Sequence, residues 1–265
     1  MKPSISRRLL YAAAALIGIW LVLPLAIIVP ISFSAEDSFR FPPSSWTFAR
    51  YEALTESTWY TAFLHSCLIG VLVATVSALL GTLTAFGITR SRSALMSALR
   101  AMVLAPQVVP IIVLGLGIYL VFLRWNLIGT VPGFVIAHTV LAVPFVVIPV
   151  TASLETFDRS LEKASASLGA GPLATFWQIT FPIIRPAILS GTLLAFLASF
   201  DELVLALFLQ SPSFYTLPVL LYRSMTDSVD PTVAAVATIE LVVVIGGVLT
   251  VLIVQTRRVG ADGDR

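Results

Sequence analysis

Three carboxylates lie inside long apolar runs: Asp201 and Glu202 within Ala187–Leu209, and Glu240 within Val233–Val254. A charged carboxylate at the centre of a bilayer costs roughly 2.5–3.5 kcal/mol even on lenient insertion scales. Such a group should face a protein interior or a watery cavity. There it can draw in a cation, because Coulomb attraction strengthens as the local dielectric falls. It can equally bond a neighbouring helix or take up a proton. Ser199, two residues before Asp201, adds a hydroxyl, so the candidate pathway set is Ser199, Asp201, Glu202 and Glu240. Adjacent residues on a helix point about 100° apart. Asp201 and Glu202 can therefore face one point only if the helix is distorted.

Other chemistry is sparse. His65 and His138 stand alone in their apolar runs, and a lone membrane histidine more often bonds a neighbouring helix than binds metal. Cys67 is the single cysteine, which excludes an internal disulfide or a cysteine metal site. No G-x-x-x-x-G-K-[ST] phosphate loop and no nucleophile–base pair occurs, so neither an ATPase nor a hydrolase site is expected. With a net charge of +2 the chain has no polyanion-binding signature, and no nucleic-acid partner is expected.

The elements that must hold these acids are membrane helices. The 265 residues are 58% hydrophobic and 11% charged, with a mean hydropathy of +0.97. A soluble domain carries roughly a quarter charged residues. The expected fold is all-α, a polytopic bundle with spans at Leu9–Ile31, Ala62–Gly87, Ala101–Leu123, Val131–Val150, Ala187–Leu209 and Val233–Val254. The first run exceeds the roughly 7–15 residues of a signal peptide's apolar core, so it is read as a retained membrane helix. With a cytoplasmic N-terminus, Lys2, Arg7, Arg8, Arg90, Arg92, Arg100, Arg159, Lys163, Arg185, Arg257, Arg258 and Arg265 fall inside. Only Arg40, Arg50, Arg124 and Arg223 fall outside, and that bias puts both termini in the cytoplasm.

On this topology residues 153–186 are cytoplasmic, and they are more than a connector. Asp158 or Ser160 can cap a short helix over Leu161–Leu168, and Gly169 can stop it. Gly171-Pro172 starts a second helix, which Pro182 and Pro186 are expected to close before the fifth span. The small residues Ala164, Ser165, Ala166 and Ser167 would let another surface approach closely. An amphipathic helix lying in the lipid headgroups, with Phe176 and Trp177 as anchors, is the competing reading.

The segment resembles the EAA loop of ABC importer membrane subunits. That pattern is Glu-Ala-Ala, three residues, Gly, nine residues, Ile, one residue, Leu-Pro. Gly169, Ile179 and Pro182 match at those spacings, and Ala164 and Leu168 match as well. Lys163 holds the glutamate position, Ser165 the second alanine and Phe181 the usual leucine, while Glu162 lies one residue early. The stretch "SFDELVLALFLQSPSFYTLPVLLYRSM", residues 199–225, resembles the putrescine/spermidine branch; related branches handle ferric iron and small amino compounds.

The resemblance implies a type I importer permease fold, with 1–265 as one transmembrane domain and 153–186 as its coupling loop. It implies that Glu162, Lys163, Ala164, Ser165, Leu168, Gly169, Ala170, Ile179 and Pro182 couple to an ATPase. It further implies a second permease, either an identical copy or a paralogue forming a heterodimer, two ATP-binding subunits and an extracytoplasmic solute-binding protein. ATP and Mg would sit on the ATPase partners, with no cofactor in this chain, and the location would be the bacterial inner membrane. The expected cargo is a small cationic, polyamine-like solute. An ion- or proton-coupled carrier using Asp201, Glu202 and Glu240 is the alternative.

Overall fold

The computed structural model describes residues 5–55, 57–91, 93–227, 230–243 and 245. These residues form two compact units, one of 1–60 with 221–265 and one of 61–220. Regular structure among them is helical, apart from two isolated bridges. Among the described residues four helices are long and apolar enough to cross a membrane, or five if one bent pair counts as a single span. The termini and the end of the expected sixth run, beyond Thr232–Val243, lie outside the described residues.

The unit of 1–60 and 221–265 contains α1 (Ile5–Ser32) and α2 (Ala49–Ala53). Between them the chain doubles back, with Ala35 N–H donating to Ser45 O at 3.1 Å and Thr47 N–H to Phe33 O at 2.7 Å. An Arg50–Asp37 ion pair at 2.7 Å and a Ser32–Tyr51 hydroxyl bond at 2.7 Å secure this fold-back.

The unit of 61–220 is built round a long apolar helix. α3 (Ser57–Arg90) supplies its first span, and α4 (Ala94–Leu104) follows. The expected third span is not straight. A 3-10 turn at Ala105–Gln107 ends α4, and α5 (Ile111–Trp125) leaves at 104° to it. Pro106 and Pro110 account for the break: each lacks an N–H, and Pro110 forces the residue before it away from helical geometry. α6 (Val131–Glu155) runs past its expected end, with Thr130 capping Gly133 N–H and Pro132 in the first turn.

α6 is apolar all round, one side packed on neighbouring helices and the other, with Ile136, Val140 and Ile148, exposed. Phe134, Ala137, Ala142, Val146 and Val150 are buried along it. Glycines let the adjacent helices touch its backbone. A Cβ on Gly191 would lie 2.8 Å from Val146 Cα and 2.9 Å from Phe145 O. One on Gly81 of α3 would lie 2.7 Å from Val146 Cβ. Small residues at such crossings are how membrane helices gain van der Waals contact, since lipid supplies no hydrophobic drive between them.

The fifth span also departs from expectation at both ends. α7 (Ser160–Ser167) is separate, but α8 (Pro172–Thr175) runs through a π turn at Phe176–Thr180 into α9 (Phe181–Phe200). Pro182 and Pro186 do not close a unit; Pro182 sits in the first turn of α9 and Pro186 inside it. The π turn, closed by Phe181 N–H on Phe176 O, places the widened turn immediately before the proline that cannot donate. At the other end α9 stops at Phe200, and α10 (Val204–Leu209) resumes after a break, followed by α11 (Leu217–Thr226).

Because the Gly191 contact is with backbone, a side chain there cannot be absorbed by a rotamer change. Gly191→Val is expected to destabilise the protein by about 1–3 kcal/mol through overpacking, read as a lower melting temperature in detergent. An unchanged melting temperature would contradict this contact.

Candidate functional site

The segment between α6 and α9 is shaped by local backbone chemistry. The Asp158 carboxylate accepts from Ser160 N–H at 2.8 Å and Ser160 Oγ at 2.7 Å, so Asp158 provides the start of α7. Those bonds hold the Asp158 carboxyl below its ordinary pKa. At the other end Gly169 has φ +89, a conformation that a side chain disfavours. Gly169 N–H donates to Ala166 O at 3.0 Å and Ala170 N–H to Ser165 O at 3.1 Å, the paired bonds of a Schellman cap. A Cβ at Gly169 would meet nothing within 4 Å, so the backbone angle, not space, requires glycine. Gly171 is extended and Pro172 opens the next helix.

The candidate coupling residues divide into two faces. Lys163, Ala164 and Gly169 are exposed, and Leu168 and Leu173 stand 89% and 73% exposed. Ser165 and Ala170 are half-buried, with Ser165 Oγ 3.0 Å from Thr175 Oγ1. Ile179 is half-buried in the π turn, and Pro182 is exposed. Glu162 turns the other way. Its Oε2 accepts from Arg90 Nη1 at 2.7 Å, and its Oε1 accepts from Arg90 Nη2 and from Thr180 Oγ1, the latter at 2.7 Å. Arg90 also lies 5.6 Å from the Phe86 ring centroid, and Arg159 donates to Thr89 O at 2.6 Å. The Arg90 hydrogen bonds, then that from Thr180, lower the Glu162 pKa against the opposing cost of burial. A cleft of about 420 Å³ lies under α7, lined by Phe86, Arg90, Glu162, Ala166, Phe176 and Thr180 among others.

The intramembrane acids are also sorted by the structure. Asp201 caps the end of α9 and is exposed. Glu202 Oε1 accepts from Leu205 N–H at 2.9 Å and so caps the start of α10. The two acids thus serve different ends at this break and do not face one point. Ser199 is 5% exposed and bonds His138 Nδ1 at 3.0 Å between α9 and α6. His65 Nδ1 lies 3.0 Å from Tyr215 O and its ring stacks on Phe214 at 4.1 Å. Each histidine therefore bonds another helix or loop. Glu240 belongs to the other unit and is half-buried there. Among the described residues no group of His, Cys, Asp and Glu is placed to hold a metal ion.

Two features escape the sequence pattern: the π turn and the Arg90 partner. Arg90 carries a signal in hindsight, as a lone cation closing a long apolar run, but its partner lies 72 residues away.

The family described as binding-protein-dependent transport system inner membrane component matches residues 77–259. The chain is 34% identical over 230 residues to the putrescine transport system permease protein PotI of Escherichia coli (strain K12), covering 84% of this chain and 82% of that one. It is 30% identical over 250 residues to the spermidine/putrescine transport system permease protein PotC of the same strain, covering 92% and 93%. Its fold is similar to a chain in the crystal structure of a bacterial ABC transporter involved in the import of the acidic polysaccharide alginate. That match has a TM-score of 0.71 at 18% identity and covers 97% and 98% of the two chains.

The lowered pKa of Glu162 has a definite sign. Its anchoring of α7 is complete above the ordinary carboxylate range and is lost as pH falls through the lower value of the folded protein. Limited proteolysis within residues 159–171 is expected to stay constant from pH 8 down to about pH 4 and to rise below it. A rise between pH 7 and pH 5 would contradict the pairing.

Proposed function

The chain belongs to the family of binding-protein-dependent transport system inner membrane components, and from that premise we propose that it moves a polyamine-like cation through a pathway passing Asp201. It is a multi-pass permease subunit of an ABC importer in the bacterial inner membrane, a subunit type without catalysis of its own. We take the whole chain as one permease domain of six spans with both termini cytoplasmic, and residues 153–186 as its cytoplasmic coupling loop. A second permease, a paralogue, completes the pathway. Two ATP-binding subunits, carrying ATP and Mg, dock below, and a solute-binding protein delivers cargo from outside.

The break at Asp201–Leu203 is the observation that carries the cargo class. Asp201 is exposed there, at the C-terminal end of α9. Carbonyls at a helix C-terminus bear partial negative charge, which adds to the carboxylate. Unwound backbone of this kind is where transporters coordinate cations. The relatives named for putrescine and spermidine support the same reading. An ammonium group would meet Asp201, while Glu202 keeps α10 in place through its bond to Leu205 N–H.

The exposed face of α7, with Lys163, Ala164, Leu168 and Gly169, is the docking face for the ATPase. Lys163, where the motif has glutamate, leaves docking to rest on shape and apolar contact. ATP-driven closure then pulls this face and biases inward- against outward-facing states. The helix from Pro172 to Phe200 spans 29 residues, about 43 Å at ~1.5 Å per residue. It runs without a break from Pro172, one turn past the docking segment, to Asp201.

Two experiments on the assembled transporter test these roles. Ala164→Trp with Gly169→Leu should abolish co-purification of the ATPase and uptake while membrane insertion persists. Retained co-purification would sink the docking reading. Asp201→Asn should raise the KM for putrescine uptake about tenfold, equivalent to about 1.4 kcal/mol. An unchanged KM would remove Asp201 from the pathway.

A further inference from the structure

We propose that Glu162, Arg90 and Thr180 form a strut that transmits motion of α7 to the ends of α3 and α9, making Glu162 a positioning residue and not an ATPase contact. This rests on α7 being the docking element.

The case begins with how little else holds α7. It has eight residues, none of them buried. An isolated helix of that length is not stable in water, and apolar packing does not anchor it. The cleft of about 420 Å³ separates its underside from Phe86 and Phe176. What crosses that space is polar. Glu162 receives both terminal nitrogens of Arg90 and the hydroxyl of Thr180. Arg159 reaches Thr89 O, and Ser165 meets Thr175. Among the described residues only Glu162 joins α7 to two spanning helices at once: Arg90 ends α3, and Thr180 closes the π turn that enters α9.

The geometry suits transmission better than stabilisation. A two-pronged guanidinium–carboxylate pair fixes orientation as well as distance. Its members are 38% and 17% exposed, so solvent screening limits their worth as a stability element. Their position matters more. A pull on α7 without the strut would be taken up by the turns on either side of it, at 156–159 and 168–171. With the strut, α3 and α9 must follow.

The test uses the complete transporter, with both permeases, the ATPases and the binding protein, in proteoliposomes. The readout is ATP hydrolysed per putrescine imported. In E162A the ATPase should still co-purify, and the ratio should rise at least fivefold. The exchanged pair R90E/E162R should recover most of the coupling, while R90E alone should not. An unchanged ratio in E162A would overturn the strut. Loss of ATPase co-purification in E162A would also overturn it, by making Glu162 a docking contact while leaving the docking role of α7 standing. Should E162A fail to insert, the exchange decides: a pair no better coupled than R90E alone refutes the proposal. Failure of the docking reading shows separately, as retained ATPase in the Ala164/Gly169 variant.

Discussion

Close packing of α9 on α6 is the contact from which the rest of the 61–220 unit follows. At Gly191 the two backbones approach until even one methyl group would collide with Val146 Cα and Phe145 O. Lipid offers no hydrophobic drive to bring helices together, so such contact must come from shape. Gly81 of α3 meets the same valine from another side. One residue of α6 thus sets the spacing of two neighbours. With α9 held along its middle, its two ends become the places where the chain can afford irregularity.

Those ends carry the two candidate sites. Toward its start, α9 continues back through a π turn to Pro172, so the second half of the α7–α8 segment is a direct extension of a spanning helix. At its finish, the break at Asp201–Leu203 exposes backbone that a bilayer would punish if left unpaired. Glu202 meets part of that demand by accepting from Leu205 N–H. The buried Ser199–His138 bond fastens the last turn of α9 to α6 just before the break. Of the neighbouring acids, one is used to build the break and the other is left exposed by it. The fold is shared, at a TM-score of 0.71, with a chain of a transporter involved in the import of an acidic polysaccharide. Charge placed at the break is a local decision on a shared scaffold.

Much of the architecture was legible from patterns that act over short distances. Apolar runs of membrane length locate α3, α6 and much of α9, because backbone in lipid must satisfy itself as helix. Asp158, Gly169, Gly171 and Pro172 mark the boundaries of α7 and α8, because caps depend on neighbours within a few residues. The proline-rich stretch at 106–110 signalled distortion, although not a bend of 104°.

Sequence alone therefore determined the helical class, the membrane setting, the family and the residues that cap α7 and open α8. Tertiary structure decided which way each charged or polar group points. Glu162 and Lys163 are neighbours, yet one is drawn inward by Arg90 and Thr180 while the other faces out. Ser199, read as a pathway residue, is committed to His138. Pro182 and Pro186, read as helix ends, lie within α9 because a π turn precedes them. The physical reason is common to these cases. Helix boundaries answer to local backbone chemistry, whereas the partner of a polar side chain is whatever donor or acceptor the packing of distant segments brings within 3 Å or so.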